Sequence, residues 1–214
     1  MEHVELVAPI LTEHGVQATF FVTVPAILER PEAWRQIRAE GHEIASHSHF
    51  GITANGALPA WTLDMVRDDL RASVEGIREI AGVEPVSFAR DGSTSNCADG
   101  DYGELLRERF AGIRIAEPGV NDPSEVEIAE VRSTRWMDLV GPVESLLPES
   151  GQWKVPVFDR FFDSDVEAAE QDLRILLGHL NRRRDIWIAP FAEVVSRIKE
   201  FQSEASDASV NLNS

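Results

Sequence analysis

Short apolar runs alternate along the chain with longer segments of helical period, the pattern of βα units that build a parallel sheet or barrel. Runs of strand length are "VQATFFVTV" (16–24), "HEIAS" (42–46), "PVSFA" (85–89), "GIRIA" (112–116), "EIAEV" (127–131) with "WKVPVF" (153–158), and "DIWIA" (185–189). Between them, Pro31 to Glu40 opens on proline and stops before Gly41, which predicts a helix. The segment after Thr62 aligns Met65, Val66, Leu70, Val74, Ile77 and Ile80 on one face and ends at Gly82. Ser164 predicts the N-cap of a helix that carries Val166, Ala169, Leu173, Leu176, Leu177 and Leu180 inward. Phe191, Val194, Val195, Ile198 and Phe201 define a last amphipathic helix. Val4 to His14 also has helical period, so the pattern opens on a helix. The expected fold is α/β, a (β/α) barrel lacking its first strand, with an edge beside Ala18 to Val22 open to pairing and oligomer formation.

Composition narrows the partners more than the fold. With 214 residues, 43% hydrophobic and 27% charged, the chain supports one domain over 1–201. The polar, aperiodic 202–214 reads as a disordered tail. A net charge of -17 argues against nucleic acid and anionic membrane surfaces, which need clustered Lys and Arg. One cysteine, Cys97, excludes an internal disulfide and a multi-cysteine zinc site. No apolar stretch reaches bilayer length and no export signal stands after Met1, so a cytoplasmic location is expected unless the true N-terminus differs.

Candidate chemistry gathers in "GHEIASHSHFGIT" (41–53), where His47 and His49 lie two apart at the end of a strand-like run. Two readings stand for His47: a metal ligand, or a strand-end imidazole bonded to a neighbour. His42 reads as packing. Arg90 and Asp91 read either as substrate-binding groups or as an ion pair or turn closing the third strand. Asp159 falls at a strand's C-terminal end, where barrels place catalytic groups. Asp99, Asp101 and Glu104 in "NCADGDYGE" (96–104) do not meet the EF-hand pattern and read as a turn capping the next helix.

The strings "GVQATFFVTV", "AEGHEIASHS", "SFARDGSTSN" and "LNRRRDIWIAPFAEVVSRI" together resemble the NodB-homology polysaccharide deacetylases, carbohydrate esterase family 4, from about Val4 to Phe201. The resemblance implies a distorted (β/α) barrel and a carbohydrate substrate. It also implies hydrolysis of N-acetyl or O-acetyl groups, assisted by a divalent metal, commonly zinc, that polarises the carbonyl and activates water. In such a site one Asp and two His hold the metal, a second Asp is the base and a late His is the acid.

Carried over residue by residue, His47 matches the first metal His, Ser48 the adjoining hydroxyl position, and Arg90 the arginine of the third-strand motif. The second metal His would fall at Gly51, leaving His49 as the nearby imidazole. Only Glu2, Glu5 and Glu13 precede "ATFF" where the two-Asp motif belongs, and Asp159 stands at the late His position. The expectation is a deacetylase-like protein with a degenerate site, impaired or inactive. The alternative is a non-catalytic carbohydrate-binding barrel in which Phe50, Trp61, Trp136, Trp153, Phe161 or Phe162 stacks on sugar rings.

Overall fold

A π-helical turn (His3–Val7) runs into α1 (Ala8–Glu13), and Gly15 at φ +65° turns the chain into β1 (Thr19–Val22). The computed structural model describes residues 3–51, 58–92, 94–138, 141–158 and 166–211. Helices α2 (Val24–Leu28) and α3 (Pro31–Ala39) follow, then β2 (Glu43–Ser46). Thr62 accepts the Met65 N–H to cap α4 (Leu63–Ala81), and Gly82, at φ +70°, closes it in the left-handed conformation that glycine adopts freely.

The chain continues through β3 (Ser87–Arg90), the hairpin β4 (Asn96–Cys97) and β5 (Gly100–Asp101), α5 (Gly103–Arg109) and β6 (Gly112–Ile115). In that hairpin Asp101 accepts the Gly103 N–H at the start of α5, the capping role its spacing suggests. Next come β7 (Val131–Arg132), β8 (Thr134–Arg135), β9 (Pro156–Val157), α6 (Val166–Leu180) and α7 (Phe191–Asn211).

The main sheet is parallel in the order β1-β2-β3-β6-β7, and β8 pairs with β9 separately. Helices α3 and α4 cover one side of it, and α7 crosses β6 on the other. Phe88 and Ile113 meet Val66, Leu70, Val74 and Leu106 in one cluster, while Phe20 and Ile44 meet Ile27, Trp34 and Ile77 in another. Burying such faces is the dominant favourable term, about 25 cal/mol per Å² of apolar surface.

Three details depart from the sequence pattern. Residues 185–189 form no strand among the described residues, Trp187 is 54% exposed, and β1 stands as an edge strand with no partner on its other side among the described residues. Helix α7 continues to Asn211 instead of ending before a tail at 202, because no Gly or Pro interrupts residues 191–211. On α4, Met65 is exposed and Asp69 is buried in its place. No helix among the described residues is long and apolar enough to cross a membrane.

Candidate functional site

Strand alternation decides what each end residue of β2 and β3 can reach. Ile44 and Ser46 face α4, where Ser46 Oγ lies 2.8 Å from Ser73 Oγ. His47 continues the β1 ladder, its N–H donating to Val22 O at 2.8 Å, and its ring turns to the opposite side. There it borders a cavity of about 1360 Å³, together with Thr19, Phe21, Asp91, Arg114 and Phe191.

His47 Nδ1 is 2.9 Å from Ala89 O. A carbonyl only accepts, so this nitrogen carries the proton. The other nitrogen, Nε2, then faces Asp91 Oδ2 at 3.4 Å. The second oxygen of Asp91 lies 3.8 Å from Arg114 Nη1, and that guanidinium rests over the Phe21 ring, 5.6 Å from its centroid. Register assembles the group, since β3 and β6 pair Ala89 with Arg114. Burial pushes the Asp91 carboxyl up, but the hydrogen bond and charge of His47, then the charges of Arg114 and Arg135, hold it below the ordinary value.

The other candidates are elsewhere. Arg90, one position before Asp91, takes the opposite face of β3, is buried, and lies near Asp101 and Tyr102. Burial pushes the Tyr102 hydroxyl up to about 12, with Arg90 opposing it. The His49 ring packs edge-on to Phe50 with centroids 4.3 Å apart, and its Nδ1 is buried with no hydrogen-bond partner among the described residues. His49 does not border the cavity that His47 lines.

Asp159, Phe161 and Phe162 lie outside the described residues. Trp136 donates to Asp172 at 2.8 Å and stacks on Phe158, while Trp153 packs on Phe191, so both have structural work. Phe50 is 69% exposed. Arg114 was legible as a charge inside the apolar run "GIRIA", and its partner Asp91 as the next inward position after Ala89.

The sequence profile described as polysaccharide deacetylase matches residues 1–97. A chitooligosaccharide deacetylase of Bradyrhizobium sp. (strain ANU 289) is 48% identical over 66 residues, covering 31% of this chain and 30% of that protein. The chain's matches span under a third of the length of the curated relatives, 26% and 30%.

Two solved structures share the fold. A family 4 acetyl xylan esterase from Clostridium thermocellum, in complex with a cobalt ion, has a TM-score of 0.59 at 16% identity, over 89% of this chain and 82% of that one. BA3943 of Bacillus anthracis, a family 4 pseudoenzyme, has a TM-score of 0.58 at 14% identity, over 91% and 60%. Residues 1–97 thus match the polysaccharide deacetylase profile, and the fold over most of the chain is that of the family 4 structures.

That family's metal can be tested against the donors. Zinc sites draw three or four protein ligands to about 2.0–2.3 Å. Among the described residues no three His, Cys, Asp or Glu side chains converge in that way. His47 and Asp91 supply two donors, and Arg114 stands against the same carboxylate, where its charge opposes a second cation. The described residues therefore do not fit a divalent metal.

Proposed function

We propose that this chain is a deacetylase-like carbohydrate-binding protein whose acetyl-hydrolysing chemistry is impaired. The observation that supports this most directly is the engagement of His47. Its two ring nitrogens are directed at Ala89 O and Asp91, and the position one helical turn on is Gly51, which has no donor side chain. A hydrolytic site needs a positioned base, an electrophile for the carbonyl oxygen and an acid for the leaving group. His47 and Arg114 are instead both engaged with the one carboxylate, Asp91, at 3.4 and 3.8 Å. The cavity next to them, with polar groups at one end and Phe21, Trp153 and Phe191 along its wall, has the mixed lining that suits a sugar chain.

The test is paired. Binding of acetylated chitin oligosaccharides is followed by calorimetry, and acetate release from the same oligosaccharides is followed with added zinc or cobalt. Binding without acetate release is expected. Acetate release that is lost in His47→Ala would overturn the reading.

A further inference from the structure

Asp69 is an ionisable side chain in the middle of the buried stripe of α4, 7% exposed between Val66, Leu70 and Ser73. Burying a carboxylate is costly unless donors replace the lost water. Here the donor is a backbone amide of the turn after β2. Asp69 Oδ2 accepts the His49 N–H at 2.9 Å, while Oδ1 is buried with no hydrogen-bond partner among the described residues and burial pushes the carboxyl pKa up.

The turn needs such a hold. Ser48, at φ +64°, is the one positive-φ residue other than glycine among the described residues, a conformation that a side chain with a Cβ disfavours. The buried Ser48 sets the local bend: its N–H donates to Ser46 Oγ at 3.2 Å and its Oγ accepts the Gly51 N–H at 2.8 Å. His49 O accepts the Val24 N–H, tying the same turn to α2. His47 immediately precedes this bend. The direction of its ring toward Ala89 O and Asp91 depends on where the bend begins.

We propose that Asp69 is a positioning residue: by holding the amide of His49 it fixes the left-handed bend at Ser48 and so aims the His47 ring at Ala89 and Asp91. This rests on reading the His47 group as the site, and adds the element that sets its geometry. Helix α4 thereby acts on a cavity that lies across the sheet from it. The carboxylate does this work without touching any group in the cavity.

The experiment reads the His47 ring itself, at pH 8, by the nitrogen chemical shifts that separate the Nδ1–H form from the Nε2–H form. In the wild-type chain a proton held on Nδ1 is expected, as its hydrogen bond to Ala89 O requires. In Asp69→Ala, whose side chain offers no acceptor to the His49 amide, partial loss of that fixed Nδ1 proton is expected, with amide dispersion outside residues 46–51 retained.

Ser73→Ala is the control. It removes a partner of Ser46 on the same helix but holds no amide of the turn, and is expected to keep the wild-type His47 shifts. Hydrogen exchange in the wild-type chain gives a second measurement that needs no variant. The His49 amide is expected within about tenfold of the amides in the middle of α4, and Asp69→Ala to speed its exchange roughly tenfold to a hundredfold.

Unchanged His47 shifts in Asp69→Ala, or exchange of the His49 amide at loop rates in the wild type, would overturn the proposal. Neither readout involves acetate or sugar. A wild-type chain that released acetate would sink the functional reading and leave this one standing.

Discussion

Glu43 on β2 accepts the backbone N–H of Ala192 at 2.9 Å, 149 positions away, at the first turn of α7. Thr19 completes the cap: its hydroxyl donates to the same Glu43 oxygen at 2.7 Å and accepts the Phe191 N–H at 2.7 Å. A helix start has unpaired N–H groups, and here side chains of two neighbouring strands supply the acceptors. Glu43→Ala is expected to cost about 1–2 kcal/mol and Glu43→Gln less, because the amide oxygen still accepts. Chemical denaturation would measure both. Thr19→Val combined with Glu43→Ala should cost less than the two single effects summed, since the groups share one network. Strict additivity would show that they cap independently.

Gly112 is expected to tolerate no larger residue, for reasons of space. A Cβ there would lie 2.7 Å from Val195 Cγ2 and 3.0 Å from Phe191 Cε1, both side chains being buried where α7 crosses β6. Overpacking of that kind costs about 1–3 kcal/mol. Gly112→Ala should therefore lower the melting temperature by roughly 2–4 °C per kcal/mol lost, the scale for a chain of this size. Adding Val195→Ala should recover part of the loss. If Gly112→Ala melts with the wild type, the close approach of α7 is not obligatory.

His42 gives a pH dependence of known sign. The ring is 4% exposed, accepts the Ala18 N–H at Nδ1 (3.0 Å) and meets Phe20 edge-on. Burial pushes its pKa below the ordinary imidazole value, and the charge of Glu40 only partly offsets that. The unfolded chain then takes up its proton at a higher pH than the folded one. Stability from this residue is whole above about pH 6.5 and is lost as pH falls from there through the lowered folded value. Protonating Nδ1 would also set two donors against each other at Ala18. His42→Asn, which keeps an acceptor and cannot titrate, should show a shallower fall in urea midpoint between pH 7 and pH 5 than the wild type. Equal slopes would assign the dependence to other groups.

How much of this was legible in the sequence follows from what each signal measures. Alternation and period report burial against the sheet, so the β1, β2, β3 and β6 segments and the α3 and α4 boundaries were readable from apolar runs, Pro31, Thr62 and Gly82. "DIWIA" has the same apolar run but forms no strand among the described residues, since pairing is not a property of the run alone. Asp69 was hidden because a charged residue one step from Leu70 looks solvated until the His49 amide that meets it is seen. Arg90 and Asp91 were read together, and strand alternation then sent them to opposite faces. His47 was singled out as a residue to watch. Arg114 stood out only as a charge inside "GIRIA", and its meeting with Asp91 depends on the register of β3 and β6.

The last prediction concerns metal affinity, and it follows from that same register. Tight zinc sites collect three or more neutral or anionic donors, with no competing cation beside them. His47 Nε2 and Asp91 Oδ2 are 3.4 Å apart, which would let both reach one ion, but Arg114 lies 3.8 Å from the same carboxylate and offers it a cation already. A metal arriving there must also displace the interaction between His47 and Asp91. Zinc is therefore expected to bind more weakly than about 10 µM, an affinity near 7 kcal/mol or less. Competition against a chromophoric chelator would measure it. Arg114→Ala should tighten zinc binding by removing the competing charge, provided the fold is retained, as judged by circular dichroism. Sub-micromolar binding in the wild type, abolished by both His47→Ala and Asp91→Ala, would mean that the two donors gain further ligands when metal arrives and that the group is a working metal centre.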